Sequence, residues 1–533
     1  MEEPKSENFI SFKDHKLGRI LLEKINEFVR YFGLFEMPEN FWDLTQKKMI
    51  GDGLQFRGND FVAHTKLHHK RSAIYTIHPK QSLIVIFSIL VIIGGFMFNA
   101  HVFLIIIIGA LSVFYFLDLL FNLFLITRNI NKNPEIEVTS EEIEKLDDVE
   151  LPIYTIFCPL YKEWQVVGQF VAAISKIDWP KEKLDVQLLL EEDDEKTINE
   201  LKKKDLPSYF RIIIVPDGHP KTKPKACNYG LNHAKGKFAV IYDAEDIPDP
   251  QQLKKAYLIL NNEKNKNIIC AQAKLNFYNS RQNILAKLFT AEYLLWFDLI
   301  LPGLQSIKAP IPLGGTSNHF KTKDLEMLKG WDPFNVTEDC DLGIRIASLG
   351  YYTAIFNSTT LEEANTRIGN WVRQRSRWIK GYMQTYLVHM RNPKEFRSIP
   401  DKRRSLTFQL IVGGKTASIL INPAMWALTL VYFSFRQYVG PTIESFYPTP
   451  VLYIAFFSLL FGNFLYFYYY MIGCAKRKRW DLMKSIFLVP FYWLLMSIAA
   501  WKALYQLFFK PHYWEKTVHG FHFSNTDQIN EFC

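Results

Sequence analysis

Acidic residues gather where two apolar runs end. Glu191-Glu192-Asp193-Asp194 closes one run and Asp243-Ala244-Glu245-Asp246 closes another, about 50 residues further on. Carboxylates brought together repel unless a cation neutralises them, and hard oxygens suit Mg²⁺ or Mn²⁺. A divalent ion there would hold a nucleotide diphosphate and stabilise it as a leaving group. The plainer alternative is a pair of solvated acidic loops. Thr337-Glu338-Asp339 opens an amphipathic stretch that ends near Gly350. Acids in a first turn answer the helix dipole, and one beside an acceptor hydroxyl would serve as general base. Gln374, Arg377 and Trp378, within Gln374-Arg375-Ser376-Arg377-Trp378, stand at i, i+3 and i+4 on one helix face. An amide, a guanidinium and an indole so placed grip a pyrophosphate and stack on a sugar ring. With Lys380 and Arg391 nearby, the same stretch also reads as a basic helix on a membrane surface. Lys225 follows the basic loop Lys221-Thr222-Lys223-Pro224 and would balance phosphate charge.

These residues need a frame. Ile153–Cys158, Val186–Leu190, Ile212–Val215 and Phe238–Tyr242 read as buried strands, with helical stretches near 164–176, 195–204 and 225–235 between them. Strand–helix alternation predicts a mainly parallel α/β sheet, whose ligand site lies at the carboxyl ends of the strands. Apolar runs of membrane length flank this region. Leu83–Phe98 and Val102–Ile126, parted by Asn99 and His101, predict two antiparallel crossings. Segments near 406–435, 450–473 and 485–509 follow, the first interrupted by Gly413-Gly414-Lys415 and the third by Pro490. Three simple crossings there would put the tail opposite the sheet domain. Ile284–Leu304 is also apolar, but Lys287, Thr290, Ala291 and Asp298 share a face, which predicts an interfacial helix.

The mean hydropathy of the 533 residues, −0.05, averages these unlike regions, so a purely soluble enzyme and fibrous or disordered classes are excluded. The net charge of +9 is mild for this length. Part of it sits in Lys476-Arg477-Lys478-Arg479, at the end of an apolar run, which points to a membrane rather than to nucleic acid. The six cysteines have neither zinc-finger nor disulfide-framework spacing and read as free thiols.

Asp193-Asp194, the D-x-D-like Asp243-Ala244-Glu245, Thr337-Glu338-Asp339 and the Q-x-x-R-W of 374–378 are collinear. Together they resemble a membrane-integrated family 2 glycosyltransferase of the cellulose-synthase-like, processive type. The resemblance implies an α/β GT-A fold, a nucleotide-sugar-binding, Rossmann-like mixed sheet, as a cytoplasmic domain inserted between transmembrane helices. By resemblance, Tyr161, Glu163 and Asp193 or Asp194 would hold the nucleoside of a UDP-sugar, with Lys225 near the phosphates. Asp243 and Glu245 would hold Mg²⁺ or Mn²⁺ and the diphosphate, although the family pattern has Asp at 245 and Asp246 follows it. Asp339 would be the general base of an inverting displacement, Gln374 and Arg377 diphosphate contacts, and Trp378 the acceptor platform. Thr337, Glu338, Ser317 and Asn318 would line the acceptor side. The acceptor would be a growing β-linked glycan or, alternatively, a lipid or polyprenyl phosphate taking one sugar. A multi-pass protein of the bacterial inner membrane is expected, with room for an accessory export subunit and no nucleic-acid partner. The expected divisions are a region of unknown role at 1–80, a transmembrane hairpin at 81–127, the transferase domain at 128–403, interfacial and transmembrane helices at 404–510, and a tail at 511–533. Tyr513 to Gly520 resembles a segment that gates the donor pocket.

Overall fold

The structure, a computed structural model, describes residues 66–218, 220–393 and 402–516. Most of the region of unknown role at 1–80, Thr517 to Gly520 of the tail, and Cys533 lie outside the described residues. At its centre is an eight-stranded mixed sheet in the order β3-β2-β1-β4-β7-β6-β8-β5. β1 (Tyr154–Leu160), β2 (Leu184–Glu191), β3 (Phe210–Val215) and β4 (Phe238–Ile241) are mutually parallel, as their apolar runs predict. Every residue of β2 is buried, as expected of a central strand covered on both faces. β7 (Asn318–Lys321) runs antiparallel between β4 and β6 (Ile268–Phe277). β8 (Tyr352–Glu362) pairs parallel with β6, and the short β5 (Ile247–Pro248) closes the edge. β6 and β8 escape a search for apolar runs because polar residues such as Gln272, Lys274, Asn276 and Thr360 are threaded through them, all buried.

The stretch predicted as an interfacial helix is instead interior. It winds as a helix Ile284–Leu295, a π turn Trp296–Ile300 and a helix Leu301–Ser306. Most of its polar face is enclosed: Thr290 is fully buried and Asp298 is 1% exposed, while Lys287 is partly exposed. Asp298 accepts two hydrogen bonds of 3.1 Å from Nε of Arg477, and its carbonyl accepts one from Lys476. Two of the four basic residues at 476–479 are therefore spent on Asp298, Arg477 on its carboxylate and Lys476 on its carbonyl, joining the apolar helices to the sheet domain.

Among the described residues, four helical stretches are long and apolar enough to cross a membrane: Pro79–Lys132, Arg403–Ser434, Thr449–Lys476 and Trp480–Phe509. The first is broken at Asn99 (φ −160°, ψ 94°), the residue expected to separate two arms, whose side chain accepts the Val102 N–H. Unbroken, its 54 residues would reach roughly 80 Å. Both of its ends meet the sheet domain. Gln81 donates to the Leu387 carbonyl, and Asn129 donates to the carbonyls of Asp298 and Leu299. The Gly413-Gly414 interruption proves to be a π turn, Gln409–Gly414, through which the helix continues as Lys415–Ser434. The five described cysteines are buried and free.

Candidate active site

Two cavity walls meet at the carboxyl ends of β1, β4 and β8. Residues just past β1 and β4 supply Tyr161, Glu163, Asp243 and Glu245, and the N-terminus of the helix Glu338–Ser348 supplies Glu338 and Asp339. Gln374, Arg377 and Trp378 come from one face of the helix Ile368–His389, and all line the same space. The cavity, about 1300 Å³, continues between the apolar helices past Asp118, Lys415, Asn422 and Tyr466. Those helices hold few ionisable residues, yet Asp118 and Lys415 both face the cavity. Tyr466 donates to Asp118 (2.7 Å) and Tyr115 to Asn422 (2.7 Å), so this part of the wall is hydrogen-bonded rather than oily.

Asp246, considered above as a second metal ligand, turns inward. It accepts the N–H of Asp243 (2.7 Å) and the hydroxyl of Thr316, which aims the Asp243 carboxylate outward. There Asp243 accepts a hydrogen bond from Lys223, whose ammonium also donates to the Gly315 carbonyl at 2.7 Å. Burial opposes the charge of Lys223, but Asp243 and Glu338 more than offset it and hold its pKa above the ordinary value. Burial and then the Asp243 charge push Glu245 up to about 8. Burial and then Asp339 push Glu338 to about 8, while burial raises Asp339 to about 6. Glu362 and Glu363, at the end of β8, add further acid to this wall.

Among the described residues, no three His, Cys, Asp or Glu side chains converge to hold a metal unaided. Asp243 and Glu245 fit the role of two hard-oxygen donors to Mg²⁺ or Mn²⁺, which would need its remaining ligands from outside the protein.

Several expected site residues stand elsewhere. Lys225 is fully buried and pairs with Glu191 at 2.7 Å. Two positions apart on the helix Lys223–Leu231, residues 223 and 225 point about 200° from each other, and Lys223 is the one that faces the cavity. Replacing Lys225 by Met is expected to cost about 3–5 kcal/mol, because it strands a buried Glu191 charge. A thermal melt would read that loss, with the donor KM of the folded fraction unchanged. Asp194 caps the helix Glu195–Lys202 and accepts the Lys162 N–H at 2.5 Å, where Lys162 adopts a positive φ of 57°. Asp193 remains exposed and meets the wall through the Tyr161 hydroxyl (3.2 Å) and Lys221 (2.5 Å). Ser317 and Asn318 turn into the core, bonded to Thr360 and to the Gly314 carbonyl; Gly314 and Gly315 face the cavity in their place. Thr337 lines the wall, packed so closely on Gly381 that a side chain at 381 would collide with it.

Lys223 and Glu362 went unrecognised as site residues. Glu362 would have followed from the strand-end rule had β8 been recognised. Trp514 lies over Arg377 at 4.3 Å, and Lys516 reaches Glu163 (3.1 Å) and the Tyr161 carbonyl. The described part of the tail thus covers the Tyr161 end of the cavity, as a gating segment would.

If Asp339 serves as the base, turnover falls as pH drops through about 6, where its carboxylate takes up a proton. A kcat profile over about pH 5 to 8 checks this limb.

Residues 152–381 match the family model described as "Glycosyltransferase like family 2". The chain is 24% identical over 371 residues to "Probable glycosyltransferase YdaM" of Bacillus subtilis (strain 168), a match covering 67% of this chain and 83% of that protein. It is 25% identical over 265 residues to "Glucomannan 4-beta-mannosyltransferase 7" of Arabidopsis thaliana, covering 47% of each. A mannosyltransferase from Pyrobaculum calidifontis, solved with GDP-Man and Mn²⁺, superposes with a TM-score of 0.42 at 18% identity, covering 71% of this chain and 98% of that one.

Proposed function

We propose that this chain, a glycosyltransferase carrying a family 2 domain over residues 152–381, moves a sugar from a nucleotide diphosphate to a hydroxyl of a growing glycan and receives that glycan among its membrane helices. The observation that carries the reading is the continuity of one cavity from the strand-end carboxylates, past Trp378, to the hydrogen-bonded wall around Asp118 and Asn422. A site built only for a lipid phosphate has no need of such a polar extension.

In this reading Tyr161 and Glu163 receive the nucleoside, beneath the cover provided by Lys516. Arg377 and Gln374 face the diphosphate, and the Gln374 amide is oriented by Asn365 at 2.9 Å. A divalent cation held by Asp243 and Glu245 would offset charge on the leaving diphosphate. Trp378 offers the acceptor ring a flat partner, with the Arg375 guanidinium 4.8 Å from its centroid on the protein side. Asp339 takes the acceptor proton as its oxygen attacks the anomeric carbon from the side opposite the diphosphate. One base and one displacement invert that centre.

The ties at helix ends support a count of four crossings. Trp480–Phe509 is long enough to span a membrane. However, Arg479 just before it donates to Ser280, and His512 just after it bonds the Phe334 carbonyl, both in the sheet domain. A segment held to one domain at both ends lies along the membrane face. Two arms parted at Asn99, the helix Lys415–Ser434 and the helix Thr449–Lys476 then make the crossings. Sheet domain and tail share one side, which we assign as cytoplasmic.

Detergent-solubilised protein incubated with radiolabelled UDP- and GDP-sugars and Mn²⁺ tests the function. Label in a long, lipid-free product is expected. Label confined to a short, lipid-extractable product would replace this reading with single transfer to a lipid.

A further inference from the structure

We propose that residues 66–78, which precede the first apolar arm, are a positioning element of the active site: Ser72 and Ala73 clasp Asp332 and thereby hold the loop that delivers Asp339. The proposal rests on the reading of Asp339 as the base.

Asp332 is fully buried, at the head of that loop. One carboxylate oxygen accepts the Ser72 hydroxyl (2.8 Å) and the Phe334 N–H (3.1 Å), and the other accepts the Ala73 N–H (2.6 Å). A single side chain therefore joins the turn of its own loop to a segment about 260 positions away. Arg391 donates to the carbonyls of Ser72 (2.9 Å) and Lys70 (3.2 Å) from the far end of the helix that carries Arg377 and Trp378. Ile74 packs with Phe334 and Val388 and forms part of the cavity wall.

From this clasp the loop is tied at each step towards the base. Asn335 donates to Thr385 (2.9 Å), the Val336 N–H to Gln384 (3.0 Å), and the Thr337 N–H to Asn335 (3.0 Å). Beyond the base, Asp341 accepts from Arg345 at 2.7 Å and lies 3.0 Å from His389. The ties of Asn335, Val336 and Thr337 run within the loop or to the helix Ile368–His389, whereas Asp332 reaches residues 72 and 73. An amide at 332 keeps one accepting oxygen and turns an N–H₂ towards a donor, so one arm of the clasp must open.

The test uses the full chain and the nucleotide sugar that the wild type turns over in the panel above. Asp332→Asn and Ser72→Ala are expected to lower kcat about tenfold with donor KM unchanged, as misplacement of a catalytic group by a fraction of an ångström does. Ser72→Thr, which keeps the hydroxyl, is expected to restore the rate. Should Asp332→Asn melt early, Ser72→Ala decides, since it removes one oxygen. Wild-type kcat in Ser72→Ala, or a loss that Ser72→Thr does not recover, overturns the clasp. Asp339→Asn run alongside separates the two readings. If Asp339→Asn is inactive while the clasp variants turn over normally, only the clasp fails; if Asp339→Asn is fully active, the base reading fails and takes the clasp with it.

Discussion

Asp339→Asn is expected to lower sugar transfer by about 10²- to 10⁴-fold, the usual worth of a general base, while donor binding stays within about twofold of the wild type. The substitution preserves shape. An amide oxygen can still accept the Cys340 N–H that the carboxylate accepts at 2.6 Å, so the helix start is not disturbed. What disappears is the ability to take a proton. The neighbouring Glu338 also lines the cavity, and burial, the larger cause of its raised pKa, persists in the variant and opposes its ionisation. Glu338→Gln should accordingly be much milder. Gly315 leaves open the space in front of Asp339, where an added Cβ would come within 3.3 Å of the carboxylate. Radiolabel incorporation beside calorimetric donor titration measures both halves of the prediction. A variant that loses donor binding in step with turnover would mean that Asp339 holds the donor rather than the proton.

Asp243→Asn is expected to fail differently, losing donor affinity as well as rate, by on the order of 100-fold in kcat/KM. Asp243 is the carboxylate that Asp246 and Thr316 aim into the cavity, and its present partner is the Lys223 ammonium. Without its charge the cavity has one fewer oxygen anion for a cation, and Lys223 loses the carboxylate that offsets its own charge, though an amide oxygen can still accept from it. Donor titration with and without Mn²⁺ measures this. Equal binding in the two conditions by the wild-type protein would remove the metal from the scheme. Unaltered metal-dependent binding by the variant would move the ligand role to Glu245.

The legible part of this fold was the part written in continuous apolar runs. β1, β2 and β4 are almost wholly buried and the edge strand β3 is equally apolar though partly exposed, so each reads as an apolar stretch, and the strand-end rule then points at Tyr161, Asp243 and Glu245. The illegible part depended on which way a side chain turns at the end of an element. Lys223 and Lys225 are equally basic and two residues apart, and helix phase decides that the first meets Asp243 and the second Glu191. Asp193 and Asp194 are adjacent, yet the second is consumed in capping a helix. Ser317 and Asn318 turn inward because Ser317, at φ 58°, redirects the chain into β7. Sequence patterns carry periodicity but not these local reversals. The interior helix at 284–306 was misread for a related reason: the partner of its polar face, Arg477, lies almost 180 positions away.

The π turn at Gln409–Gly414 has a consequence for how the membrane wall can vary. A π turn holds one residue more than an α turn, and each residue of an α-helix advances the face by about 100°. Lys415, Ser418 and Asn422, at i, i+3 and i+7, present their side chains to the cavity only with that extra residue in place. Removing any one residue of the turn would let it relax to α and rotate the polar row out of the passage, with no change in the composition of the helix. Adding one would overshoot by the same angle. The passage is thus set by counting as much as by chemistry, and a one-residue insertion or deletion around Gly413-Gly414 is expected to disturb it more than a substitution there.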